Sequence, residues 1–156
     1  MNRERIDFNI SQYGLHVCKV FPTEEAQPNF GYSIGLFRNY RHPEVLIIGL
    51  KLELIHSLIN CIGEDIRNGK SFLPGQFYSD IIDGYECLFT SVEKRYYEDY
   101  VGQALMYYGD QEFPLLQCIY PTLKNIYPWQ LSWPVEINFL QPMLGQVPGA
   151  GMQPGA

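Results

Sequence analysis

Three histidines, His16, His42 and His56, are the side chains whose ordinary titration falls near neutral pH. His42-Pro43-Glu44 sets an imidazole and a carboxylate on either side of a proline. That pair suits general acid–base hydrolysis, or, with a third converging ligand, a zinc or non-haem iron site. The proline also fixes a turn, which explains the tripeptide equally well. His16, His42 and Glu44 are therefore the candidate catalytic residues, on condition that the fold brings them together. No metal site is expected. Ser33 lies in Gly31-Tyr32-Ser33-Ile34-Gly35, which matches G-x-S-x-G. A nucleophile elbow needs a strand, a sharp turn and then a helix. Here Leu36 to Tyr40 reads as a lead into another strand, which argues against a serine nucleophile. The sequence contains no P-loop and no G-x-G-x-x-G. Cys18, Cys61, Cys87 and Cys118 have no C-x-x-C spacing and are expected to be reduced thiols, mostly in the core.

The elements that would position these residues are legible from periodicity. Arg3 to Tyr13 reads as a short helix closed by Gly14. Leu15 to Phe21 and Phe30 to Leu36 read as strands, the second with glycines that imply a bulge or a close backbone approach. Val45-Leu46-Ile47-Ile48 is apolar throughout and should be central in its sheet. The clearest helix is Leu52 to Asn68, where Leu54, Ile55, Leu58, Ile59, Ile62 and Ile66 recur at helical spacing and Gly69 follows. Glu53, Asn60, Glu64 and Arg67 fall on its wet face. Glu86 to Val92 is a further strand after the Asp83-Gly84 turn, and Tyr97 to Tyr108 is a tyrosine-rich helix ended by Gly109. Leu115 to Tyr120 is the last strand. The expected architecture is α+β: a mostly antiparallel sheet or split-barrel-like core, a long helix after the third strand and a second, tyrosine-rich helix. One domain over 1–140 and a disordered Gly/Pro-rich tail over 141–156 are expected.

With 156 residues and 46% hydrophobic composition, the chain has material for one real core. Its formal charge of −6 and the lack of a long basic run argue against nucleic acid and suit a basic protein partner. No run approaches a membrane span and no apolar leader opens the chain, so a cytoplasmic protein is expected. Aromatics reach 15%. Tyr32, Tyr108, Trp129 and Trp133 are the candidate partner- or ligand-binding residues, Tyr127 to Trp133 being either a lid over the core or an uncovered contact patch.

Gly14-Leu15-His16-Val17, Phe30 to Leu36, His42-Pro43-Glu44, Phe113-Pro114-Leu115-Leu116-Gln117 and Pro128-Trp129, in that order, resemble a bacterial family known only as a domain of unknown function. That resemblance implies no activity. More loosely, Gly31 to Leu36 followed by Pro43 to Ile47 resembles the opening of flavin-reductase-like split barrels. This second resemblance implies FMN as cofactor, held by Ser33, the backbone N–H of Gly35 and the charge of Arg38. The leading expectation is a non-enzymatic binding or accessory module, of immunity type among the options, taking a protein or small-molecule partner, with a homodimer as a further option. The alternatives are an FMN-binding protein or flavin-dependent reductase and a His/Glu-based hydrolase.

Overall fold

The computed structural model describes residues 2–24 and 27–155. Its centre is β3 (Glu44–Ile48), every residue of which is buried. Alternation along β3 sends Leu46 and Ile48 to one side of the sheet and Val45 and Ile47 to the other, and each pair joins a separate apolar cluster. A strand wet on neither face needs no polar alternation, which is why its sequence is a continuous apolar run.

Around β3 stand β1 (His16–Val20), β2 (Phe30–Ile34), β4 (Phe77–Ile82), β5 (Tyr85–Ser91) and β6 (Leu115–Ile119). The order is β1-β2-β3-β6-β5-β4, an open sheet with β1 and β4 at its edges. All pairings are antiparallel except β3 with β6. Of the two expected architectures, the open, mostly antiparallel sheet is the one observed. β4 went unassigned in the sequence because its residues do not alternate cleanly. Its register with β5 also shifts between Tyr78 and Ile82.

Helix α1 (Arg3–Tyr13) covers one face of the sheet near β1, its Asn2 side chain accepting from Arg5 N–H and Gly14 closing it at φ 89°. The long helix, α3 (Leu52–Arg67), covers the opposite face, against β1, β2 and β3. Ile55, Leu58, Ile59, Ile62 and Ile66 are buried as the spacing predicts, each contributing on the order of 2 kcal/mol of transfer free energy. Leu54, placed on that apolar face by the sequence, is 44% exposed. Gly31 explains how closely α3 lies on the sheet. A Cβ there would stand 2.7 Å from Ile55 Cγ2 and 3.0 Å from the Cys18 carbonyl oxygen. Of the two readings of the strand glycines, a close approach holds at Gly31, since β1 and β2 pair without a bulge across it. Gly31→Ala is expected to cost about 1–3 kcal/mol through overpacking, read as a lowered urea midpoint at unchanged slope.

Two further elements depart from the sequence reading. Leu36–Tyr40 is a one-turn helix, α2, entered through Gly35 at φ 116°. The tyrosine-rich segment is broken in two, α4 (Tyr97–Tyr100) and α5 (Gly102–Tyr108), at Val101 with φ −120° and ψ 43°. The Tyr32 hydroxyl accepts from the Gln103 N–H, so the first turn of α5 is satisfied from the sheet below it.

Residues 121–155 form few regular elements, yet parts of the segment are bound to the sheet. Tyr127 and Trp129 stack at 4.7 Å over Leu88 and Ile119, and Tyr127 donates to the Glu86 carbonyl. Gln141 and Leu144, inside the stretch expected to be disordered, are buried. Gln141 exchanges two bonds with the Tyr120 backbone, and Leu144 N–H donates to Gln117 Oε1. Cys18, Cys87 and Cys118 are buried free thiols, and Cys61 is exposed. No helix among the described residues is long and apolar enough to cross a membrane.

Candidate functional site

Three places hold most of the residues picked out in the sequence, and Arg38, Trp129 and Trp133 lie apart from them. The first is a buried carboxylate. Glu44 Oε1 accepts from the Ser33 hydroxyl at 2.7 Å and Leu36 N–H at 3.2 Å. Its Oε2 accepts from Gly35 N–H at 3.0 Å, Phe37 N–H at 3.2 Å and the Tyr108 hydroxyl. The three amides are orphan donors at the start of α2, so Glu44 caps that helix from across the sheet. Ser33 works in the gap where β2 and β3 splay apart. Beyond the last pair, Tyr32 with Leu46, its Oγ accepts from the Val45 N–H at 2.9 Å while its hydroxyl donates a hydrogen bond to Glu44. Complete burial pushes the Glu44 pKa up, and the bonds from Tyr108, Ser33, Phe37 and Gly35 act the other way.

This arrangement accounts for several sequence candidates. The strand–turn–helix order absent from the sequence reading is present at 30–40, because α2 follows Gly35 directly. The sharp turn is at Gly35, two residues after the serine. Ser33 itself is fully buried with its hydroxyl committed to Glu44. The Ser33 hydroxyl and Gly35 N–H that the flavin resemblance singles out are thus engaged by an internal carboxylate. Tyr32 and Tyr108 are buried, and burial raises the pKa of both phenols. Arg38 lies apart from them on the surface. Its guanidinium donates to the Tyr107 hydroxyl at 2.7 Å, with Arg3 over the same ring at 4.4 Å.

The second place is a clamp. His42 Nε2 accepts from Phe72 N–H at 2.9 Å, which leaves the ring proton on Nδ1, 2.8 Å from the Pro43 carbonyl. Burial lowers its pKa, so the ring is held neutral with both nitrogens occupied. His16, His42 and Glu44 therefore do not form one catalytic group: each is bonded within a different set of neighbours. Among the described residues no three His, Cys, Asp or Glu side chains converge in a metal-binding cluster. Trp129 is likewise enclosed, its indole N–H donating to the Met152 carbonyl, while Trp133 is half-buried beside exposed Leu131 and Val135.

The third place is a groove of about 530 Å³ along the open edge of β1. β1 forms the floor, with Leu15, Val17 and Lys19 on the α3 side and His16 on the α1 side. Arg5, Asn9 and Tyr13 of α1 make one wall, and His56, Asn60, Glu64 and Arg67 of α3 the other. The sequence contributes both walls through helical repeats. Arg5, Asn9 and Tyr13 are spaced i, i+4, i+8, and His56, Asn60 and Glu64 repeat that spacing. The Asn9 amide donates to His16 Nδ1 at 2.8 Å, which leaves the ring proton on Nε2. The pKa of His16 is lowered by partial burial, then by Arg5, then by His56. That of His56 is lowered by burial and then by Lys19. Among the described residues Arg5, Lys19 and Arg67 enter no ion pair. Among the same residues Glu64 is the one carboxylate lining the groove.

Sequence reasoning found His16 here but missed His56, Arg5, Lys19 and Arg67. The available signal was the pair of polar stripes at i, i+4 spacing on the two helices. What the sequence could not give is that both helices flank the same edge strand from opposite faces.

The fold and groove define a small α/β/α-layered domain of the α+β class with a cationic, histidine-bearing cleft at one sheet edge. The chain belongs to the family DUF4262, described as a domain of unknown function, which it matches over residues 9–134. That span includes most of the groove, from Asn9 to Arg67, as well as Glu44 and Tyr108. No curated protein and no solved structure matches the chain.

Proposed function

We propose that this protein is a binding module that takes an anionic partner in the groove along β1. The observation that carries this reading is charge segregation. The whole chain is at −6, yet Arg5, Lys19 and Arg67 converge on one cleft with two histidines; among the described residues none of the three enters an ion pair, and Glu64 is the single carboxylate beside them. Like charges gathered at a concave surface raise the local concentration of anions and hold the histidines neutral until one arrives. A basic partner, which net charge alone suggests, would meet the wrong sign at this cleft.

The groups facing the two imidazoles are Arg5 from α1, Lys19 from β1, and Glu64 and Arg67 from α3. An anion bound among them favours the imidazolium form, so the pKa of both rings rises on binding. Linkage then requires affinity to increase as pH falls from above the bound-state pKa toward the free-state pKa. The test is titration of the protein with inorganic pyrophosphate, following the ring resonances of His16 and His56 by NMR. Saturable shifts, growing between pH 7.5 and about 6 and weakening with added salt, are expected. Unmoved rings at millimolar pyrophosphate and low salt would overturn the reading. His42 serves as the internal reference, since both its nitrogens are engaged elsewhere.

A further inference from the structure

The groove differs from a simple anion pocket in its floor. β1 pairs with β2 on one side only, so half of its backbone N–H and C=O groups point into the cleft rather than into the sheet. An unpaired edge of this kind invites another chain unless it is blocked by proline, by a bulge or by a covering element. Neither proline nor bulge interrupts His16–Val20, whose register with β2 is continuous over all five residues; the strand does carry Lys19, a charge that turns basic or neutral strands away and favours an acidic one. The flanking helices stand on opposite faces of the sheet and leave a channel between them instead of closing over the edge.

A ligand lying in that channel would be extended, parallel to β1, with alternate side chains pointing to the two walls. One wall offers Arg5 and Asn9, with His16 beside them on the floor; the other offers His56, Asn60, Glu64 and Arg67, with Lys19 beside them, so that on this side Lys19 and Arg67 outnumber Glu64. Both walls are cationic, so acidic side chains are accommodated on either face of the incoming strand. Small apolar side chains would meet Val17 and the edge of Leu15. Resting on the anion-binding reading above, we infer that the partner is an acidic, extended peptide segment that adds to β1 as a seventh strand. The backbone bonds would set its register and the cations its composition.

The experiment uses the full chain with an acetylated, amidated heptapeptide of six glutamates around a central valine, so that acidic side chains reach both walls. A second peptide of the same sequence carries N-methyl groups on alternate residues, and a third carries them on the remaining ones. Strand addition predicts saturable binding of the parent and at least a tenfold weaker affinity for one N-methylated form only, because only one set of amides faces β1. Hydrogen exchange should slow at those amides of His16–Val20 that do not pair with β2. If all three peptides bind alike and are displaced by pyrophosphate, strand addition is overturned while anion binding stands. Should neither peptide nor pyrophosphate bind, both readings fail together. Binding of the peptide that pyrophosphate cannot compete, with exchange slowed elsewhere than β1, would place the peptide outside this groove and overturn the inference.

Discussion

Glu44→Ala is expected to destabilise the fold by about 4 kcal/mol or more, a large part of the roughly 5–15 kcal/mol typical of a domain. The substitution leaves two buried amides, those of Gly35 and Leu36, the part-buried amide of Phe37, and two hydroxyls, Ser33 and Tyr108, without their acceptor. Each orphaned buried donor costs about 1–3 kcal/mol, and the hydroxyls recover part of theirs by rotating. The amides have no such freedom, because α2 is a single turn whose start has no side-chain cap of its own. The check is the urea midpoint of the variant against the parent. Tyr108→Phe removes one donor and leaves the capped amides in place, so its expected cost is smaller, about 1–2 kcal/mol for one buried hydrogen bond. It supplies the measurement if the alanine variant fails to fold. A loss below about 1 kcal/mol in Glu44→Ala would mean that the carboxylate does not hold α2.

The contrast between Glu44 and Val45–Ile48 explains what the sequence made legible. A buried strand, an amphipathic helix and a Gly-closed helix are local or periodic facts, and β3, α3 and α1 could be read directly from them. α2 could not. Its cap comes from a residue eight positions beyond its first amide, across a turn and on another strand. The break at Val101 has the same origin: the apolar and tyrosine spacing runs unbroken through it, but Tyr32 reaches up from β2 to hold the start of a new helix at Gln103. His42-Pro43-Glu44 looked like a chemical pair because its members are close in sequence. In the fold the imidazole reaches the loop at Phe72 and the carboxylate the start of α2, each satisfying amides that no local residue serves. The groove was hidden for the opposite reason. Its cations lie at positions 5, 19 and 67, and nothing in their spacing connects them until α1 and α3 are set on opposite faces of β1.

Reversing two of those cations, in the double variant Arg5→Glu/Arg67→Glu, is expected to weaken binding of the acidic heptapeptide by roughly a hundredfold. Two opposite charges a few ångströms apart at the protein surface interact by about 1–4 kcal/mol. At the solvated limit of about 1 kcal/mol per pair, reversal at two positions amounts to about 4 kcal/mol unscreened, which moderate salt brings to about 3 kcal/mol, or roughly two factors of ten. The loss should shrink as salt shortens the screening length toward about 8 Å and below. Stability should stay within about 0.5 kcal/mol of the parent, since both arginines are exposed and neither enters an ion pair among the described residues. One consequence needs no ligand. Arg5 depresses the pKa of His16 by its charge, so a glutamate at that position should raise it, while His42, bonded elsewhere, keeps its titration. NMR titration of the double variant alone therefore tests whether the walls of the groove act on its floor as the geometry requires. If His16 titrates as in the parent and the peptide binds undiminished, the cations of the cleft do not act as a unit, and the anionic partner must be sought at another surface.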